Sequence, residues 1–509
     1  MPTLLAFFFL SLGLCVLLTP LARALANRWG LVDKPDQRRK LHGQSIPVAG
    51  GIAVLLASLA AIAVMLLSGL CDWSTEFFAQ ANQWLGLAAA AILIVGVGVV
   101  DDCGFLRGRH KLLGQVLAVA ILIGTGLIVN KIRILSFDVD LGVLAIPFTA
   151  FFLLGAINSL NLLDGMDGLL GTVALIVTLA FAGMAAMSGR WDTACVALTI
   201  AGALLGFLRY NFPPASIYLG DSGSMLIGLV IGALAIKSSL KGPATVALAA
   251  PVAVLAIPIL DTMAAIFRRK LTGRSIYTTD RGHLHHCLLR QGFSKVMVLL
   301  CVSVFCLLAV AGAILSITFN SEWLALLAAL TVAVILVRMR WFGYGELLLV
   351  GDRLKGLVGS LLKLRGPLGP QDSAIQLQGS GAWTDPWTHL TQTAEEMELK
   401  HLRLDINAPS LHESYHAHWD HPCDEDAEFG DNSWNVAIPL VWQGQTVGRL
   451  EAAGWRDDLP VWKKIATLSE LVEDLELTLC KIADDAGLAV AASAQPVPID
   501  RPLDFTMSE

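Results

Sequence analysis

The chain is 509 residues long, 55% hydrophobic and 15% charged, with a formal net charge of -6. A soluble protein of this length would carry nearer ~25% charged residues, so an ordinary globular enzyme is excluded. The charge is also uneven. Most acidic residues lie beyond Trp341, and most basic ones before it gather in a few loops, the pattern of a membrane domain with an acidic soluble tail.

A bilayer span needs about 20 apolar residues. Taken in order, runs of that kind cover 3–22, 47–69, 84–100, 112–129, 143–160, 168–188, 193–208, 222–236, 244–267, 296–318 and 322–337. The first, Leu4 to Leu21, is too long for a signal-peptide core and lacks a basic leader, so it reads as a retained span. The fold expected is an all-α polytopic membrane protein with about eleven transmembrane helices and a C-terminal α+β cytoplasmic domain. The nine cysteines form no CxxC pair, and Cys15, Cys195, Cys301 and Cys306 lie in apolar runs. They support neither a disulfide framework nor a zinc site.

Lys and Arg mark the cytoplasmic loops. They crowd after the first span (Arg28, Lys34, Arg38, Arg39, Lys40), the third (Arg107, Arg109, Lys111) and the ninth (Arg268, Arg269, Lys270, Arg274, Arg281, Arg290). The alternate loops are poorer in them. The N-terminus is therefore expected outside and the tail in the cytoplasm. A membrane-spanning module is expected over 1–342, a linker over 343–385, a soluble α+β domain over 386–490 and a disordered tail over 491–509. Within that domain, Asn435 to Glu451 alternates around Gln443-Gly444, a hairpin signal. Val461 to Ile482 has helical apolar spacing.

Five polar stretches interrupt this pattern, all on the expected cytoplasmic side. The loop Asp33 to His42, followed by Pro47 and Gly50-Gly51, is basic and opens a helix, which suits phosphate binding by Lys40 or simply marks the inside. Asp101-Asp102 close the third span. Neighbours on a helix point about 100° apart, so they face one point only if the helix ends there. One then serves as base or metal ligand and the other as an orienting group, with Lys111 to Gln115 following as a further phosphate contact. The stretch Asn158 to Gly171 holds Asn158, Asn161, Asp164 and Asp167 at spacings of three, which puts them on one face of any helical turn. The bland alternative is a polar turn, but ionisable residues at spans are functional by default. Tyr218 to Ser224 opens the eighth span; Asp221 either caps the helix or, beside phosphates, holds Mg²⁺. Asp280-Arg-Gly-His-Leu-His-His286 suits phosphate or diphosphate recognition by Arg281 and the imidazoles, with zinc as the alternative. Carboxylates for Mg²⁺, cations for phosphate and glycines for close approach, gathered on one membrane face, are the equipment of phosphoryl transfer.

In these motifs the chain resembles the polyprenyl-phosphate N-acetylhexosamine-1-phosphate transferases, glycosyltransferase family 4. The resemblance rests on Gly50-Gly51, Asp101-Asp102, Asn158–Gly168, Gly220–Ser224 and His283–His286, in that order, over residues 1–340. It implies transfer of a sugar-1-phosphate from a UDP-sugar to polyprenyl (undecaprenyl) phosphate, with release of UMP and dependence on Mg²⁺ or Mn²⁺. It implies a bacterial inner membrane as the location, Asp221 as the metal ligand, Asp101 and Asp102 as paired catalytic aspartates, Asp164 and Asp167 as site aspartates, and His283, His285 and His286 as phosphate-side histidines. With the reading of the residues above, Asp101, Asp102, Asp164, Asp167 and His283 are expected to be catalytic, and Lys40, Lys111, Asn158, Asn161, Arg281, His285 and His286 to bind substrate. The His-Leu-His-His form is similar to the UDP-N-acetylglucosamine branch, which starts O-antigen and related surface polysaccharides. The peptidoglycan branch has an uninterrupted His run, absent here. The tail resembles the end of a GAF-type sensory domain.

A transporter also suits many spans with intramembrane charge, but its site would lie at the midplane, usually between inverted repeats. A membrane sensor would not need five phosphate-type motifs. No nucleic acid is expected as a partner. The sequence leaves open whether the chain forms a homodimer and what its C-terminal domain binds.

Overall fold

The computed structural model describes residues 2–33, 45–68, 74–134, 137–242, 245–271, 282–344, 347, 350, 371–378, 382–408, 411, 413–421, 433–455 and 460–485. The chain forms two compact units. One comprises residues 1–264 and 283–342, the other 265–282 and 343–509.

The first unit is helical. Its elements begin with α1 (Pro2–Trp29), the short antiparallel pair β1 (Val32–Asp33) and β2 (Ile46–Pro47), α2 (Gly50–Leu67), α3 (Ser74–Ala79), α4 (Ala81–Asp102) and α5 (Gly108–Gly124). Then come β3 (Lys131–Ile134), β4 (Phe137–Asp140), α6 (Ala145–Leu163), α7 (Leu169–Met187), α8 (Trp191–Asn211) and α9 (Gly220–Ser238). After β5 (Leu240–Gly242) and β6 (Thr245–Ala247) follow α10 (Ala249–Val254), α11 (Ala256–Leu271), α12 (Leu284–Arg290), α13 (Lys295–Thr318) and α14 (Glu322–Arg338). The hub is α9. It is apolar all round, so it has no face to give to solvent, and every residue from Ser222 to Ser238 is buried. Helices α2, α4, α6 and α7 surround it. Glycine makes this possible where helices cross: a Cβ on Gly51 would strike the backbone of Gly223, and one on Gly98 the backbone of Asp221 and Ser222. At the far end of α9 from Asp221, β3 to β6 form a small sheet in the order β4-β3-β6-β5. There the buried Lys237 donates to Gln80 and Gln83 at 2.6 and 2.7 Å and lies over the Trp84 ring.

Among the described residues, eight helices are long and apolar enough to cross a membrane, against about eleven expected from apolar runs. Three of those runs account for the difference. Helices α5 and α14 have 17 residues each, somewhat short of the usual length. The run 244–267 is not one helix: it starts as β6, continues as the six-residue α10, breaks at Leu255 and resumes as α11. Pro251 and Pro258 each sit three residues into α10 and α11, where a missing N–H costs little but where a continuous helix would lose a bond.

The second unit carries β7 (Gln371–Gln378), α15 (Thr384–Glu396), β8 (Leu399–Ala408), β9 (Glu413–Asp420), β10 (Ser433–Trp442), β11 (Gln445–Trp455) and α16 (Val461–Asp485). The five strands form one antiparallel sheet in the order β10-β11-β8-β9-β7. Leu402, Leu404, Ile406 and Ala408 alternate along β8 and join Trp387, Leu390, Leu468, Leu475 and Leu479 of the helices in its core. His401, Arg403, Asp405 and Asn407 alternate with them on a polar face, on which Asp405 meets Nδ1 of His416 at 2.8 Å and the Arg403 guanidinium at 3.0 Å. Gln443 and Gly444, both at positive φ, make the two-residue hairpin turn that the alternation around them predicted. The stretch 343–385, expected as a linker, is not all connection: β7 lies within it and pairs with β9, and α15 starts before its end. The polar and mixed composition of β7 hid it, and it stands at the edge of the sheet, paired with β9 alone among the described strands. Residues 486–509, including the expected disordered tail, lie outside the described residues.

Candidate active site

The site forms where the ends of α4, α5, α6, α9 and α12 come together. Asp101 and Asp102 are the last two residues of α4, so the helix does end there, as the adjacent pair requires. They diverge. Asp102 accepts the backbone N–H groups of Asp221 and Ser222 at 2.8 and 3.2 Å. These are orphan donors of the first turn of α9, so Asp102 caps that helix from another element and meets its positive end. Asp101 turns instead to Lys111 of α5, whose ammonium lies 2.8 Å from Asp101 Oδ2 and 2.6 Å from Asp221 Oδ1. One cation thus bridges two carboxylates.

Asp221 also accepts from Asn161 Nδ2 at 2.6 Å, and the same amide nitrogen reaches Ser224 Oγ at 2.7 Å. Asn158, one turn earlier on α6, exchanges amide hydrogen bonds with the buried Gln115 at 2.8 and 3.3 Å. Asn158 therefore ties α6 to α5, and Asn161 ties α6 to α9.

Asp164 and Asp167 do not lie on a helical turn. Helix α6 ends at Leu163, and the chain turns through Gly168, at φ +73, into α7. Spacing rules for helices do not apply there, and the two carboxylates part. Asp167 is buried, 3.1 Å from Lys295 Nζ and 3.4 Å from the Ala215 N–H. Asp164 is half-buried and makes no hydrogen bond or ion pair among the described residues. Burial first, then the charges of Asp221 and Asp102, push its carboxyl up to about 8. The turn is held by Asn211, whose Oδ1 accepts from Gly168 N at 3.0 Å and whose Nδ2 donates to Ile217 O at 2.9 Å.

The imidazoles stand beside this turn. A Cβ on Gly165 would run into the His285 ring, so that glycine lets histidine and aspartate loops meet. His285 is 1% exposed, and neither ring nitrogen has a partner among the described residues. Burial and the neighbouring His286 and His283 hold it well below the usual histidine range. The His286 ring centroid is 4.2 Å away. His283 meets Asp261 of α11 at 2.8 Å. Lys40 and Arg281 lie outside the described residues.

The structure thus brings together Asp101, Asp102, Lys111, Asn161 and Asp221, with Asp164 as a carboxylate neighbour and His285 against the adjoining Gly165. Sequence reasoning passed over Asn211, Asp261 and Lys295. Asp261 had a signal, a lone carboxylate inside an apolar run, which is a site hypothesis by default. Asn211 and Lys295 had none. An ammonium stands between Asp101 and Asp221, and no three His, Cys, Asp or Glu groups among the described residues could hold a metal ion alone; a Mg²⁺ ion here would need substrate phosphates and water beside one or two of these carboxylates.

The family model described as glycosyl transferase family 4 matches residues 84–239, which include Asp101, Asp102, Asp164, Asp167 and Asp221. The chain is 31% identical over 297 residues, 58% of its length and 80% of the relative's, to a probable undecaprenyl-phosphate N-acetylglucosaminyl 1-phosphate transferase of Bacillus subtilis. It is 34% identical over 336 residues, 61% of its length and 82% of the relative's, to a decaprenyl-phosphate N-acetylglucosaminephosphotransferase of Mycobacterium tuberculosis. Similarity of 27% over 334 residues, 64% of this chain and 86% of the relative, extends to an undecaprenyl-phosphate alpha-N-acetylglucosaminyl 1-phosphate transferase of Yersinia pestis.

Proposed function

Since the chain belongs to glycosyl transferase family 4, the polyprenyl-phosphate sugar-1-phosphate transferases, we propose that it moves N-acetylglucosamine-1-phosphate from UDP-N-acetylglucosamine to undecaprenyl phosphate. The step opens a cell-surface polysaccharide at the cytoplasmic face of the inner membrane. The observation that supports it most directly is the Lys111 ammonium shared by Asp101 and Asp221 at the start of α9. A place where one cation satisfies two carboxylates also admits Mg²⁺ with a diphosphate.

A phosphate oxygen of the lipid attacks the sugar-linked phosphorus. The new P–O bond forms as the bond from that phosphorus to the UMP oxygen breaks, so the lipid gains the sugar phosphate and UMP leaves. A phosphate monoester is largely ionised at neutral pH, so little base is needed. Asp221, with Asp101 or Asp164, would hold Mg²⁺, which supplies neutralisation of the diphosphate charge. Lys111, freed from its bridge, contacts phosphate. Asn161 keeps Asp221 in place, and Asp102 fixes α9 to α4. His283, His285 and His286 serve the phosphate side.

The test is UMP release by purified protein given Mg²⁺ and UDP-N-acetylglucosamine, with and without undecaprenyl phosphate. Release that depends on both lipid and metal is expected, and Asp221→Asn should abolish it in a protein that still inserts. Release without lipid acceptor, or near-native turnover by Asp221→Asn at low Mg²⁺, overturns the reading. A panel of UDP-sugars then fixes the donor.

A further inference from the structure

Asp261 is 1% exposed and belongs to none of the five polar stretches. Its two oxygens are used separately. Oδ2 meets Nδ1 of His283 at 2.8 Å, and Oδ1 accepts from the backbone N–H of Leu284 at 2.7 Å. A carboxylate offers the ring only an acceptor, so Nδ1 is the nitrogen that carries the hydrogen. Nε2 has no hydrogen-bond partner among the described residues. Leu284 is the first residue of α12, and His283 precedes it without capping it by its own side chain. Asp261 supplies that cap from α11. A single buried carboxylate therefore sets where α12 begins, how the His283 ring is turned and which of its nitrogens is free.

We infer that Asp261 is a positioning residue for the transfer: it holds His283 with Nδ1 protonated and Nε2 presented to the phosphates of the sugar donor. With Nδ1 tied up, any proton the ring gains or gives passes through Nε2. This rests on the sugar-phosphate transfer reading above. A buried second group that fixes a working histidine's tautomer is a general device, and its loss typically costs about 10- to 100-fold.

The asparagine variant separates orientation from simple scaffolding. In Asp261→Asn the amide oxygen can still accept the Leu284 N–H, so α12 keeps its cap. The amide NH₂ then faces Nδ1, which must become the acceptor, and the ring hydrogen moves to Nε2. The experiment uses the full chain in detergent with Mg²⁺, UDP-N-acetylglucosamine and undecaprenyl phosphate. Asp261→Asn should lower kcat by about 10- to 100-fold, with KM for the UDP-sugar within about threefold and the melting temperature kept. The double variant Asp261→Asn/His283→Gln should be no less active than His283→Gln alone, because no imidazole is left to orient. Additive losses in that cycle, or near-native kcat in Asp261→Asn, overturn the inference. Should the asparagine variant unfold, Asp261→Ser, whose hydroxyl can cap but gives the ring no carboxylate, carries the same cycle with the same deciding outcomes. A wild-type protein without lipid-dependent transfer sinks the parent reading, whereas an active wild type with an additive cycle sinks this one alone.

Discussion

Asp101 and Asp102 are adjacent and chemically identical, yet the structure uses them differently. Asp102 caps α9, and Asp101 faces the Lys111 bridge. Asp102→Ala should therefore lower the melting temperature, with a loss of about 0.5–2 kcal/mol for the missing cap, and reduce activity as α9 shifts. Asp101→Asn should leave the melting temperature within a degree or so, because its amide can still meet Lys111, but should cut kcat by about 100-fold, near 2.7 kcal/mol of barrier. Thermal unfolding and lipid-dependent UMP release on the two variants, side by side, check this; equal effects on both would contradict it. These carboxylates were legible in the sequence because each ends an apolar run. Which does what was not, since capping depends on Asp221, in the first turn of a helix 119 residues later. Asp261 was passed over because a single Asp inside the run 244–267 reads as part of a span until the break at Leu255 is seen.

At the level of elements, the packing of α9 turns on glycine. Gly98 has the Asp221–Ser222 backbone where its Cβ would be, whereas Gly96, two residues earlier on the same helix, has nothing within 4 Å. Gly98→Ala should cost about 1–3 kcal/mol by overpacking and draw Asp102 off its cap. Gly96→Ala should be neutral or stabilise by up to about 1 kcal/mol, as alanine does in an open helix position. Detergent melting curves distinguish the two, and a neutral Gly98→Ala would refute the close crossing. In the second unit the polar face of β8 makes a pH-dependent prediction. Burial pushes Asp405 up, but the His416 hydrogen bond and the charges of His416, Arg403 and Arg449 outweigh it and hold the carboxyl below its ordinary range. A depressed carboxylate contributes stability above its unfolded value, and that contribution is lost as pH falls through the depressed one. Wild-type residues 343–485 should therefore lose more stability than Asp405→Asn between about pH 5 and 3, followed by the fluorescence of the buried Trp383 and Trp387. Long apolar helices and the β10–β11 hairpin were plain in the sequence, because periodicity and turn residues are local. The break within 244–267 and the edge strand β7 were not, because each is decided by partners distant in sequence.

At the scale of the whole chain, the two units have separate hydrophobic cores. The described site residues, from Asp101 to His286, all fall in the first. A protein ending at Gly351 should accordingly insert and transfer sugar phosphate in detergent at a rate within about threefold of the full chain, the scale of kcat change expected when no group touching the transition state is removed. Equal amounts of the two proteins with one lipid acceptor check it. A folded, inserted but inactive truncation would mean that the tail completes the site. That a membrane protein is followed by a C-terminal domain of different character was legible from composition alone. How many of the apolar runs cross the bilayer was not, because length and hydropathy do not report where a helix breaks.

The capping of α9 by Asp102 also sets a timetable for biogenesis. Asp221 follows Asp102 by 119 residues, and at about 5–20 residues per second of synthesis α9 emerges roughly 6–24 s after α4. During that interval Asp101 has the nearby Lys111 for company, ten positions on and bonded to it in the finished protein. Asp102 has no helix to cap and must stay hydrated at the membrane surface. Only when α9 arrives does it leave water, and Lys111 extends its hold from one carboxylate to two. The lysine is thus the first partner offered to an acidic site whose later members, from Asp261 to Lys295, follow further along the chain.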